Sequence, residues 1–161
     1  VELLLILVVV FAVIAFLSFK NKKTTTSDKP WPYYAKKPLT QPEQVLYHRL
    51  VSAMPECNIL AQVQLSQVLG VKKGFKFNEW NNKINRMSLD YLVCLKDSTI
   101  VAAIELDEKS HEKQSRIEAD KKKDKALSDA GITIIRWNVR DLPDEEKIRL
   151  TFTADQNVST S

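Results

Sequence analysis

Three carboxylates stand close together in an apolar part of the chain. Asp90 lies in the run Leu89–Leu95, Glu105 lies in the run Ile100–Leu106, and Asp107 follows directly. Between the runs comes the polar group Lys96-Asp97-Ser98-Thr99. Both runs are rich in the β-branched and bulky residues that favour strands, so the stretch Ser88–His111 reads as a β-hairpin. A turn centred on Asp97-Ser98, or a four-residue loop with the same centre, sets Lys96 opposite Thr99, Asp90 opposite Glu105 and Ser88 opposite Asp107. Opposed side chains in such a pair have Cβ atoms about 4.5–5.5 Å apart, where like charges destabilise the sheet. Asp107 shares that face through the strand's period of two.

These acids are either solvated on a wet face beside lysines, or they form a site. Ile100, Ala102, Ile104 and Leu106 fill one face of the second strand, while Val101 and Ala103 precede the acids on the other. A strand covered on both sides leaves the acids at its end in need of a partner. A hard divalent cation, with its preference for oxygen ligands, removes the repulsion and uses the geometry.

Several elements must position this hairpin. Thr40-Gln41-Pro42-Glu43 opens a helix, with Thr40 as N-cap, Pro42 in the first turn and Glu43 at the third position. Glu43 is then either the return arm of a capping box or a further site carboxylate. Leu46, Leu50, Ala53 and Met54 recur at helical spacing and face the sheet. Asn58–Leu65 alternates apolar and polar residues as a half-buried strand, and Ser66–Gly70 reads as a short turn of helix. Lys113–Ala130 is rich in helix formers, with Gly131 as its C-cap, and Ile132–Val139 is a strand that can return parallel to the hairpin's second strand. Pro143–Thr151 closes the fold as a short helix. The order helix, strand, hairpin, helix, strand, helix gives an α/β fold, a central mixed β-sheet flanked by helices.

Two basic segments bear on binding. Lys121, Lys122, Lys123 and Lys125 on the last long helix either track a phosphate backbone or form a solvated face. Residues 71–87 combine lysines with Phe75, Phe77 and Trp80, residue types that bind phosphates and stack bases. The commoner arrangement is a surface loop whose aromatics fold back onto the core, and that is the expectation here.

Ahead of the domain, Leu3–Phe19 is an apolar run of 17 residues broken only by Ser18, with Lys20, Lys22 and Lys23 after it. It reads as a short transmembrane helix rather than a cleaved signal peptide, because a basic leading region and a small-residue cleavage site are both missing from it. The lysines on its C-terminal side place the N-terminus outside and the domain in the cytoplasm. Of the net charge of +4, Lys20–Pro38 carries six Lys against Asp28 alone, whereas residues 39–161 balance 18 basic against 18 acidic. Basic character therefore belongs to the linker, where it serves topology and anionic lipid more readily than nucleic acid. The resulting division is an anchor over residues 1–19, a basic Pro/Thr linker over 20–38, a domain over 39–152 and a polar, flexible tail over 153–161. Cys57 and Cys94 read as free thiols, and with only two Cys and two His no pair has the spacing of a structural zinc site.

Asp90, the segment Glu105-Leu106-Asp107, and the following Lys109-Ser110-His111 resemble the PD-(D/E)XK nuclease superfamily, the restriction-endonuclease-like fold. With the Thr-x-x-Glu helix start, the Asp-Tyr-Leu-Val strand and the stretch Asp120–Lys125, the chain more closely resembles the bacterial domain-of-unknown-function family 2726, often found behind an N-terminal membrane helix. The resemblance spans roughly Leu39–Asp141 and implies a metal-dependent nuclease at the inner membrane, acting on nucleic acid, most simply DNA. Carried over position by position, Glu43, Asp90 and Glu105 match the acids that hold Mg²⁺ or Mn²⁺ and an attacking water, which the metal makes acidic enough to cut a phosphodiester. Asp107 occupies the place of the superfamily's lysine, so Lys109, His111 or Lys121 would have to supply that role from a shifted position. The alternative is an inactive module of the same fold that binds nucleic acid or protein at the membrane. Nucleases of this fold often pair to cut two strands, so the resemblance also implies a homodimer.

Overall fold

The computed structural model describes residues 11, 30–107 and 114–158. It divides into two units, Val1–Lys36 and Lys37–Ser161. In the first, Trp31, Tyr33 and Tyr34 are exposed. The second holds every strand among the described residues.

Helix α1, Gln41–Ala53, starts where the sequence places it. Thr40 is its N-cap, in extended conformation, and Glu43 reaches back to it. Leu46, Leu50 and Ala53 lie on one side of the helix and are buried. Strand β1, Asn58–Gln64, runs into a single helical turn, α2, Leu65–Val68. Helix α3, Phe77–Ile84, forms within the stretch that lacks a clear pattern, and none of its residues is buried. The hairpin follows as β2, Ser88–Cys94, and β3, Ile100–Asp107. Helix α4, Gln114–Asp129, and strand β4, Ile134–Asn138, complete the crossover. Gly131, at φ +73°, ends α4 with Ile132 N–H donating to the Leu127 carbonyl and Gly131 N–H to that of Ser128, the double closure that a left-handed residue permits. The last helix, α5, spans Glu145–Val158. It is longer than expected and takes up much of the segment read as a tail. Asp144 caps it by accepting from Lys147 N–H at 2.8 Å, so Pro143 stands ahead of the helix and not in its first turn.

The sheet order is β1-β2-β3-β4. β2 pairs antiparallel with both β1 and β3, and β4 pairs parallel with β3, as a helical crossover requires. One core cluster joins Leu46 and Leu50 of α1 and Ile148 and Phe152 of α5 to Tyr91, Val93, Ala102 and Ile104. A second joins Leu65 and Leu127 to Leu92, Cys94 and Ala103. The two clusters cover opposite faces of β2 and β3, so the hairpin is buried on both sides along most of its length.

The hairpin loop differs from the expected one. Leu95, not Lys96, faces Thr99, with Leu95 N–H donating to the Thr99 carbonyl at 2.8 Å and Ser98 N–H to that of Leu95 at 3.0 Å. Three residues form the loop, and Ser98 takes a left-handed conformation at φ +72°. A bulge then restores the register: Cys94 pairs with Ile100, but Val93 pairs with Ala102. The extra residue exchanges the faces of the strand's first two side chains. Ile100 packs in the second cluster and Val101 in the first, the reverse of strict alternation. Beyond the bulge Tyr91 pairs with Ile104, which keeps Asp90 opposite Glu105.

Among the described residues no helix is long and apolar enough to cross a membrane. The run Leu3–Phe19, Phe11 aside, and both Lys109 and His111 lie outside the described residues.

Candidate active site

The registers of the four strands place Gln62, Asp90, Glu105 and Arg136 one beside the next across the sheet. Gln62 falls opposite Asp90 between the pairs Ala61–Tyr91 and Val63–Leu89, and Glu105 pairs with Arg136. This row stands near the carboxyl ends of β3 and β4. There Asp90, Glu105 and Arg136 border a cleft of 310 Å³, lined also by Glu43, Ser88, Asp107, Asp120 and Lys123. Five carboxylates face two cations, so the cleft carries net negative charge.

Glu105 is the buried member. Its side chain is 9% exposed, and Lys123 Nζ, on a side chain 12% exposed, donates to its Oε2 at 2.7 Å. Lys123 reaches the sheet because it lies one turn before Leu127, the fully buried residue that fixes the inner side of α4. Burial pushes the Glu105 carboxyl up to about 6, against the pull of Lys123 in the other direction. Asp90 accepts from Leu106 N–H at 2.7 Å, a bond that fixes its carboxylate at the hairpin's end. It too is raised, first by burial and then by Glu43, with the Leu106 N–H opposing. Desolvation, more than mutual repulsion, is what sets both acids apart from ordinary carboxylates.

Two of the other three acids, Asp107 and Glu43, have partners of their own. Asp107 accepts from Arg136 Nη1 at 3.0 Å, and the same guanidinium also holds Asp124 of α4. Glu43 closes the capping box, with Oε2 accepting from the Thr40 hydroxyl at 2.6 Å, while Oε1 accepts from Gln62 Nε2 at 2.8 Å. Tyr91, buried in the first cluster, donates its hydroxyl to the Glu43 carbonyl at 2.6 Å and ties the helix start to β2. Gln62 itself has φ +53°, a left-handed conformation that costs a residue with a Cβ roughly 1–3 kcal/mol.

The expected convergence of carboxylates is therefore corrected in detail. Asp90, Glu105, Asp107 and Glu43 all line one cleft, yet among the described residues no group of three His, Cys, Asp or Glu is arranged to hold a metal ion. Arg136 draws Asp107 aside, and the cap with Gln62 draws Glu43. Asp90 and Glu105 remain as a pair, and Glu105 Oε1 is buried with no hydrogen-bond partner. An orphaned buried carboxylate oxygen beside a second raised acid suits a hard cation, and Mg²⁺ commonly needs only one or two protein carboxylates. The pair fits such an ion; the three-acid set does not form.

The lysines of α4 separate. Lys121, Lys122 and Lys125 are exposed, and Lys125 pairs with Asp129 at 3.0 Å on the helix surface. Lys123 alone turns inward, so it belongs to the cleft and not to a phosphate-tracking face. Gln62, Arg136 and Asp120 were not singled out as site residues by the sequence. Arg136 carried a usable signal, because the strand's alternation sets it opposite the apolar pair Ile135 and Trp137. Gln62 carried none.

The family described as Protein of unknown function (DUF2726) matches residues 35–155 of the chain. No curated protein and no solved structure matches it.

Proposed function

For a chain that belongs to the DUF2726 family, we propose that the domain is a metal-dependent nuclease, a PD-(D/E)XK relative whose lysine comes from α4. The observation that carries this reading is the Lys123–Glu105 contact at 2.7 Å. The resemblance calls for a lysine two residues after the strand acid, where this chain has Asp107. Lys123 supplies an ammonium at the acid itself, and Arg136 neutralises Asp107.

Asp90 and Glu105 would hold the cation. Bound there, it would supply Lewis-acid polarisation of a phosphodiester and a more acidic water. The Lys123 ammonium donates hydrogen bonds and cannot accept one, so its part is to orient the attacking water or a phosphate oxygen and to offset charge developing on phosphorus. Leu106 N–H keeps the Asp90 carboxylate from rotating away. A cleft with five carboxylates repels a polyanion, so the proposal requires a cation before substrate enters.

The proposal extends to an inner-membrane protein with its domain in the cytoplasm. What supports this is the apolar run Leu3–Phe19 with the lysines behind it. Deletion of residues 3–19 should release the chain from washed membranes.

Cleavage of single- and double-stranded DNA and RNA, assayed with Mg²⁺ or Mn²⁺ and with chelator, tests the activity. Wild type should cut at least one of these only with metal, and Glu105→Gln and Lys123→Met should not. Metal-independent cutting, or cutting that survives both substitutions, contradicts the proposal. Retained binding in a chain that never cuts favours the inactive module.

A further inference from the structure

Residues 71–87 hold Lys72, Lys73, Lys76, Lys83 and Arg86 against the single acid Glu79. The aromatics there do not fold back onto the core, contrary to expectation. Phe75, Phe77 and Trp80 are 57%, 60% and 43% exposed. Phe75 and Trp80 meet edge to face with ring centres 5.8 Å apart, and Lys83 Nζ lies 3.6 Å from the Trp80 ring centre. Of the apolar side of α3, only Ile84 packs against a core cluster. Exposing three large aromatic rings costs hydrophobic stabilisation that a purely structural segment would not forgo.

The location connects this patch to the cleft. α3 leads through Met87 into β2, and the Asn85 carbonyl accepts from the Gln64 side chain. Gln64 pairs with Ser88, and Ser88 lines the cleft. Aromatic faces interleaved with cations are what unpaired bases and their phosphates require. A membrane surface fits less well: α3 has only eight residues, and of the three apolar ones on its one side, Phe77, Trp80 and Ile84, the last packs against the core and leaves two to enter a membrane. Interfacial helices bury a broad, continuous apolar face.

We propose that Phe77, Trp80 and the surrounding lysines form a stacking platform for unpaired bases, which makes single-stranded nucleic acid the substrate class of the cleft. This rests on the nuclease reading for its link to the cleft, but its test does not depend on cleavage.

The test is fluorescence anisotropy of the full chain with a labelled oligothymidylate and with a duplex of equal length, in chelator so that nothing is cut. The single strand should bind more tightly than the duplex. Trp80→Ala and Phe77→Ala should each weaken it by about tenfold, and Trp80→Phe should restore most of the affinity. Both positions are exposed, so circular dichroism of the variants should match wild type. Equal affinity for duplex, or single-strand binding indifferent to both alanine substitutions, overturns the proposal. So does binding to phosphatidylserine vesicles that the alanine variants lose while oligothymidylate binding is absent. A platform that passes while wild type shows no metal-dependent cleavage would retire the nuclease reading alone.

Discussion

Lys123 and Glu105 face each other between α4 and β3, Nζ to Oε2 at 2.7 Å, with both side chains almost wholly removed from solvent. A buried ion pair of this kind offsets its own desolvation only while both members are present. Lys123→Met leaves Glu105 as an uncompensated buried carboxylate, and the expected loss is about 3–5 kcal/mol at about pH 7. At about pH 5 the loss should be smaller, because the abandoned carboxyl, already raised, takes up a proton. Urea denaturation at the two pH values measures this. A loss that is small or independent of pH would contradict a buried pair.

Glu105 also gives the metal-free protein a pH dependence of definite sign. Its carboxyl is raised from 4.5 to about 6, so between those values the folded chain holds more proton than the unfolded one. Stability therefore falls as pH climbs from 4.5 to about 6. From that carboxyl alone the fall amounts to about 2 kcal/mol. Glu105→Gln should flatten that portion of the stability curve in a series of denaturation midpoints. A wild-type slope unchanged by the substitution would assign it to another group.

Glu43 acts as cap and clamp, since Thr40 and Gln62 take up its two oxygens. Glu43→Ala should destabilise the fold by about 0.5–2 kcal/mol while divalent-metal affinity stays within about threefold of wild type. Thermal unfolding and metal titration of the same sample separate the two effects. A metal affinity that collapses while stability holds would make Glu43 a ligand.

Asp107 is committed to Arg136 at the cleft margin, where both side chains are about one third exposed. Asp107→Asn should then cost about 0–1 kcal/mol and leave metal binding nearly unchanged. Loss of binding would place Asp107 among the ligands.

How far the site could be read from sequence depends on the element. The opposition of Asp90 and Glu105 was legible because both apolar runs are long and the register of a two-sided buried strand is strongly specified. The route to it was not. Ser98 gives no sign of its left-handed conformation, and the three-residue loop and the bulge offset each other, so a loop misplaced by half a residue still led to the right pairing. The faces of Ile100 and Val101 were misread for the same reason. Lys123 was hidden among neighbouring lysines, since α4 has a weak apolar stripe and only Leu127 reports its rotation. The exposed aromatics of α3 were read as core because hydrophobicity alone cannot distinguish a residue that packs inward from one that waits for a partner.

The most direct measurement is calorimetric titration of Mn²⁺ and Mg²⁺ into the full chain, wild type beside Asp90→Asn and Glu105→Gln. It needs no knowledge of the substrate. Wild type should bind one divalent ion and neither variant any, with both variants folded. Failure of wild type to bind at about millimolar metal, or binding that survives both substitutions, would contradict the Asp90–Glu105 pair as a metal site and the nuclease with it.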